Sequence, residues 1–183
     1  MDFKRLHYYA INNNWDGLLK FCKEHPQETP ITLNYQNLAL AEKGILADSL
    51  FAYTQNGSYG LFAPWDRSIY TAFVSQRVSY FYGDIAFAQR LAFEGNVSST
   101  TKGFPETMKT LIRTNILQQE FQVAAKYINY LQLTFFYKDW ADKQFSYLSN
   151  IESIDDDPEY IGKRMSLKNE SHLLAQNSLL ALA

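Results

Sequence analysis

The stretch Ile69-Tyr70-Thr71-Ala72-Phe73-Val74-Ser75-Gln76-Arg77-Val78-Ser79-Tyr80-Phe81-Tyr82-Gly83-Asp84-Ile85-Ala86-Phe87-Ala88-Gln89-Arg90-Leu91 decides how this chain folds. Tyr70, Phe73, Val74, Arg77 and Phe81 recur at helical spacing, which predicts one helix over residues 69–82. Gly83-Asp84 is a turn signal. The apolar pattern resumes at once over residues 85–94 and ends at Gly95-Asn96. Two amphipathic helices joined by so short a turn must lie antiparallel, and neither buries its apolar face without a neighbour.

The same unit recurs on the N-terminal side. Residues 3–13 place Phe3, Leu6 and Ala10 on one face, and Asn12-Asn13-Asn14 interrupts them. A second helix starts near Trp15-Asp16, carries Leu18, Leu19, Phe21 and Cys22, and stops before Pro26. Thr29-Pro30 reads as an N-cap followed by proline in the first turn, opening a helix over 31–43. Gly44 turns the chain into a return helix over 45–53. A loop with the turn signals Asn56-Gly57 and Gly60 follows, and Asp66 or Ser68 caps the next helix.

Beyond Gly95, Phe104-Pro105-Glu106 opens a helix to Leu117, and Gln118-Gln119-Glu120 turns it. Residues 121–137 form the most apolar helix, with Phe121, Ala125, Ile128 and Phe135 along one face. Lys138-Asp139-Trp140 turns into a helix over 141–148. Asp157-Pro158 has the cap-and-proline arrangement that starts a short helix. Residues 166–183, rich in leucine, are expected to form a last helix that folds back on the preceding pair. The junctions at Trp15-Asp16, Gly83-Asp84 and Asp139-Trp140 resemble one another. Those at Asp16, Gly44 and Gly83 are 28 and 39 residues apart, which excludes a strict repeat of about 34 residues. The expected fold is therefore all-α: an irregular TPR-like helical-repeat array of antiparallel helix pairs, with residues 1–183 as one domain. An irregular helical bundle is the competing architecture.

Hydrophobic residues make up 46% of the 183 and charged residues 20%, which supplies a core and argues against disorder. A net charge of −2 and a pI near 5.9 give no long-range attraction to nucleic acid. The single cysteine, Cys22, excludes an intrachain disulfide and reads as a small buried hydrophobe. No window is long and apolar enough to span a bilayer, and residues 1–5 do not begin a signal peptide. The chain as written is expected to be soluble, with no direct membrane insertion.

No chemistry announces itself. His7, His25 and His172 form no metal-binding pattern. The acidic run at 152–159 lacks the alternating ligands and central glycine of a calcium loop. The glycines of 56–60 have neither dinucleotide nor P-loop spacing. No cofactor is expected, and the protein is expected not to be an enzyme.

Two surfaces invite a ligand. Tyr127, Tyr130 and Tyr137 lie along one side of the 121–137 helix. The plain reading is a central helix with neighbours on two sides. The sharper reading is an aromatic concave face for an extended peptide, with Arg77 as its cation. The alternative site is the loop 55–67, where Tyr59, Phe62 and Trp65 would form a stacking platform for a small molecule or glycan. The leading functional expectation is a non-catalytic protein-interaction or scaffolding module with a protein or peptide partner. The alternative is a ligand-sensing domain.

Asn34-Tyr35-Gln36-Asn37-Leu38-Ala39-Leu40-Ala41-Glu42-Lys43-Gly44 and Asp48-Ser49-Leu50-Phe51-Ala52-Tyr53-Thr54-Gln55-Asn56-Gly57, with Gly60-Leu61-Phe62, carry a family resemblance. This chain resembles the soluble C-terminal region of an uncharacterised Bacteroidetes membrane-protein family. The resemblance implies a multi-pass transmembrane half ahead of a helical-repeat tail. It implies a chain cut from a longer protein and tethered at the bacterial inner membrane. It brings no functional residues with it.

Overall fold

The computed structural model describes residues 3–99 and 103–163. Among them every regular element is helical. The order is α1 Phe3–Ile11, α2 Trp15–Glu24, α3 Pro30–Glu42, α4 Leu46–Ser49, α5 Ile69–Tyr82, α6 Ile85–Val97, α7 Pro105–Leu117, α8 Phe121–Gln132 and α9 Lys138–Ser146. Short 3-10 turns lie at Leu50–Ala52, Gly57–Gly60 and Ile151–Ile154. In the first unit α1, α2, α3 and α4 each pack against the next, and in the second unit α6, α7, α8 and α9 do the same. The chain divides into two compact units, Met1–Val78 and Ser79–Ala183, with the boundary inside α5. The last helix expected over 166–183 and His172 lie outside the described residues.

Helix starts follow local chemistry. Asn14 caps α2 by accepting the Gly17 N–H at 2.9 Å. Thr29 caps α3 by accepting the Thr32 N–H at 3.3 Å, with Pro30 in the first turn. Of the two candidate caps of α5, Ser68 is the cap, accepting the Thr71 N–H, while Asp66 accepts the Ser68 N–H just ahead of the helix. Asp84 caps α6 through the Phe87 N–H at 3.1 Å. Gly44 and Gly83 turn the chain with φ of 71° and 88°, a region open to glycine without steric cost.

Several helix boundaries differ from the sequence expectation: α6 runs through Gly95-Asn96 to Val97, and α9 begins at Lys138, so that Lys138-Asp139-Trp140 is its first turn rather than a connection. The return helix over 45–53 is only the single turn α4, followed by a 3-10 turn. There the Gln55 side chain donates to the Leu50 carbonyl at 3.0 Å, so that acceptor serves the loop. The helix of 121–137 ends at Gln132. The Thr134 hydroxyl donates to the Leu131 carbonyl at 2.6 Å and accepts the Tyr137 N–H at 3.3 Å, closing a turn in place of another helical turn. After Pro158 the described chain forms hydrogen-bonded turns rather than a helix until Lys163.

In the first unit, α3 is buried on every side over residues 32–40. Its core residues Leu33, Tyr35, Leu38 and Leu40 lie with Leu6, Ala10, Leu18, Phe21 and Cys22. An aromatic cluster ties α1 to α3 and to the start of α5: Phe3 meets Tyr70 edge-on at 4.7 Å, and His7 meets Phe73 at 4.8 Å. The Tyr35 hydroxyl and His7 Nδ1 are hydrogen-bonded at 2.9 Å. In the second unit the core is built from Ile85, Ala88, Ile112, Ile116, Ala124, Ile128 and Leu131, closed by Tyr147, Ile154 and Tyr160.

Candidate functional site

The second unit gathers its charges against aromatic rings. Lys109 and Arg113 are one helical turn apart on α7, so they share a side. Lys109 Nζ lies 4.9 Å from the Tyr137 ring centre and 5.0 Å from that of Trp140. The Arg113 guanidinium lies 5.3 Å from the Tyr80 ring and 5.8 Å from that of Trp140. Arg113 Nε is 3.4 Å from Glu159 Oε2, and Trp140 Nε1 donates to Glu159 Oε1 at 3.0 Å. Burial opposes the charge on Arg113, but Glu159 and the surrounding groups outweigh it, and the pKa lies above the ordinary arginine value.

A second knot lies beside the first. The Tyr147 hydroxyl donates to Asp157 at 2.6 Å, and Lys143 Nζ lies 2.8 Å from the same oxygen. Tyr160 donates to Gln144. Tyr80 donates to the Glu159 carbonyl at 2.8 Å. Burial pushes the Tyr80 and Tyr160 hydroxyls well above the usual phenol range, so they remain neutral donors. Each of these groups serves another residue of the chain. Together they fasten residues 150–163 to α7 and α9, which is a structural task. The acidic run is thus more than a solvated cap, because Asp157 is buried.

The outer side of the same unit is apolar. α8 turns Ala124, Ile128 and Leu131 inward and exposes Val123, Lys126 and Tyr130. At its end Leu133, Phe135 and Phe136 are 87%, 92% and 86% exposed. The two phenylalanine rings meet edge to face at 5.3 Å. Phe135 is therefore exposed and does not share the face with Phe121, Ala125 and Ile128 on which the sequence expectation placed it. The helix ends before it, and that shifts every later side chain off the helical register.

Of the tyrosines chosen from the sequence, Tyr127 and Tyr137 are half-buried against the core of the second unit, and Tyr130 is 63% exposed. Arg77 belongs to the first unit. It donates to Asn13 at 2.7 Å, and its guanidinium lies 5.5 Å from the Trp15 ring.

In the loop 55–67, Tyr59 is exposed, while Phe62 and Trp65 are half-buried. The loop is held from below by two amides of α3. Asn34 donates to the Tyr59 carbonyl at 2.7 Å and accepts the Ala63 N–H at 3.0 Å. Asn37 donates to the Gly60 carbonyl and to Gln55, each at 2.8 Å. The loop's main chain is thereby paired where it meets the buried helix.

Over residues 1–182 the chain matches DUF6057, a family of unknown function. The chain belongs to this family. No curated protein and no solved structure matches it. In this DUF6057 chain, no group of three His, Cys, Asp or Glu placed to hold a metal occurs among the described residues. No helix among them is long and apolar enough to cross a membrane. Cys22 is buried, and burial raises its thiol pKa to about 11, which makes it a poor nucleophile. The surface residues that sequence reading missed are Leu133 and Phe136. The available signal was Thr134 inside an apolar run, followed by a run too bulky for one helix face.

Proposed function

We propose that this chain is a non-catalytic docking module, a TPR-like stack of helix pairs that meets its partner through the face formed by Tyr130, Leu133, Phe135 and Phe136. One observation carries the reading: three large apolar side chains within four residues stand almost wholly in solvent on an ordered turn. Folded proteins seldom leave such a cluster uncovered unless something else covers it. The titrating groups with displaced pKa values support a non-catalytic role, because each is accounted for by packing or by an internal ion pair. The resemblance described above adds a setting: a tail tethered at the bacterial inner membrane.

The test is photocrosslinking in cells, with p-benzoylphenylalanine placed singly at 133, 135 and 136. Position 20, an exposed lysine on α2, is the control. Adducts with a cellular protein or lipid at the turn, and none at 20, are the expected result. A turn that yields no adduct at any of the three positions overturns the docking reading.

A further inference from the structure

We propose that Asn56 is a site of spontaneous covalent modification: the Gly57 main-chain nitrogen attacks the Asn56 side-chain amide, and residue 56 becomes isoaspartate. The inference goes beyond the docking reading and does not rest on it.

The reaction needs an asparagine with an unengaged side chain, a following N–H that is not committed to a hydrogen bond, and no Cβ to hinder the approach. Asn56-Gly57 is the only Asn-Gly pair in the sequence. Asn56, Gly57 and Ser58 are all exposed. Asn56 holds the N-cap position of the 3-10 turn Gly57–Gly60, yet its side chain makes no capping bond. Among the described residues no hydrogen bond uses that side chain or the Gly57 N–H. A Cβ built on Gly57 would meet nothing within 4 Å, so a ring and an incoming water have room. The Asn56 carbonyl accepts the Tyr59 N–H at 3.1 Å, a surface bond that water replaces at little net cost when the chain rotates. Asp16-Gly17 shows the contrast. There the Gly17 N–H is committed to Asn14 at 2.9 Å, inside the first turn of α2.

The step balances without an oxidant or a cofactor. Gly57 N gives up its proton to solvent base and bonds to Asn56 Cγ. The side-chain nitrogen leaves as ammonia, and a five-membered succinimide remains. Water then opens the ring. Cleavage at Cγ gives aspartate, and cleavage at the Asn56 main-chain carbonyl carbon gives isoaspartate. One water is consumed, one ammonia is released, and the residue gains a negative charge.

The position gives the change a structural consequence. Asn37 holds Gln55 at 2.8 Å, and Asn34 holds the Tyr59 carbonyl at 2.7 Å. Residues 56–58 bridge these two pins. Isoaspartate routes the main chain through the former side chain and adds a methylene between them. The bridge no longer matches its anchors on α3, and the loop loosens.

The experiment is to age the purified whole chain in warm, mildly alkaline buffer. Peptide mapping by mass spectrometry and methyl transfer by protein isoaspartate methyltransferase then follow residue 56. It should gain about one dalton and accept methyl groups. It should convert about tenfold faster or more than Asn150, which is as exposed but precedes the β-branched Ile151. Asn56→Gln, whose ring would need six members, should stay unmodified and fold as the wild type does. Aged wild-type protein should be cleaved inside 55–67 about threefold faster or more than fresh protein. The aged glutamine variant should be cleaved no faster than when fresh. Conversion no faster than at Asn150 overturns the proposal. Aspartate without isoaspartate overturns the attack by Gly57. Isoaspartate with unchanged cleavage overturns the loosening of the loop.

Discussion

Asp157 shows what one side chain does for the second unit. Burial alone would raise its pKa, but the hydrogen bonds from Lys143, Tyr147 and the Glu159 N–H outweigh that and leave it below the usual carboxylate range. A carboxylate whose folded pKa is depressed contributes stability above its unfolded pKa of about 4, and that contribution is lost as pH falls through the folded value. Asp157→Asn keeps an acceptor for Tyr147 but loses the pair with Lys143, whose side chain is half exposed. We expect a cost of about 1–2 kcal/mol at neutral pH. Chemical denaturation between about pH 6 and about pH 3 should show a smaller acid-induced loss in the variant than in the wild type. An unchanged acid slope would mean that other groups set it. Cys22 offers a second check at this scale. With a thiol pKa near 11 and almost no exposure, it should react with a thiol reagent at least about a hundredfold more slowly in the native protein than in denaturant. Rapid native labelling would place it at the surface.

Among the elements, the joint between α3 and the loop 55–67 is the most exacting. Asn34→Ala leaves the Tyr59 carbonyl and the Ala63 N–H without their partner, each at or near a buried helix. A loss of about 2–4 kcal/mol is expected, with faster protease cleavage inside 55–67. A variant that melts and resists cleavage like the wild type would show that the loop holds itself. This joint also marks the boundary of what was legible in the sequence. Four helix starts were readable, because Asn14, Thr29-Pro30, Ser68 and Asp84 cap their own helices within three residues; the start of α9 was not, because Lys138-Asp139-Trp140, read as a turn, is its first turn and Tyr137 makes no side-chain cap. The ends of α3, α5 and α7 were readable too, but the early ends of α4 and α8 and the loop anchor were not. Asn34 and Asn37 reach 18 to 29 residues along the chain for their loop partners, and no local pattern encodes that. The exposed turn was hidden for a related reason. Leu133-Thr134-Phe135-Phe136 reads as core by composition, and only the hydroxyl geometry of Thr134 ends α8 early enough to turn the rings outward.

For the molecule as a whole, the all-α class was legible because periodicity and turn residues agreed from one end of the described chain to the other. Division into two compact units was not, since the boundary falls inside the unbroken apolar pattern of α5. Far-UV circular dichroism of the full chain should give a helix-dominated spectrum. A strand content above about a fifth would contradict the architecture.

The amide of Asn34 has an evolutionary consequence. Its nitrogen faces the carbonyls of Pro30, Tyr59 and Gly60, and its oxygen faces the Ala63 N–H. Aspartate would set an anion against three carbonyls, leucine would satisfy none of them, and glutamine is one methylene too long. The position accepts asparagine only while the loop keeps its length and path. Across the family, this residue and the loop should therefore be inherited together: where the segment between α4 and α5 is longer or shorter, the constraint at position 34 lapses and other side chains appear there.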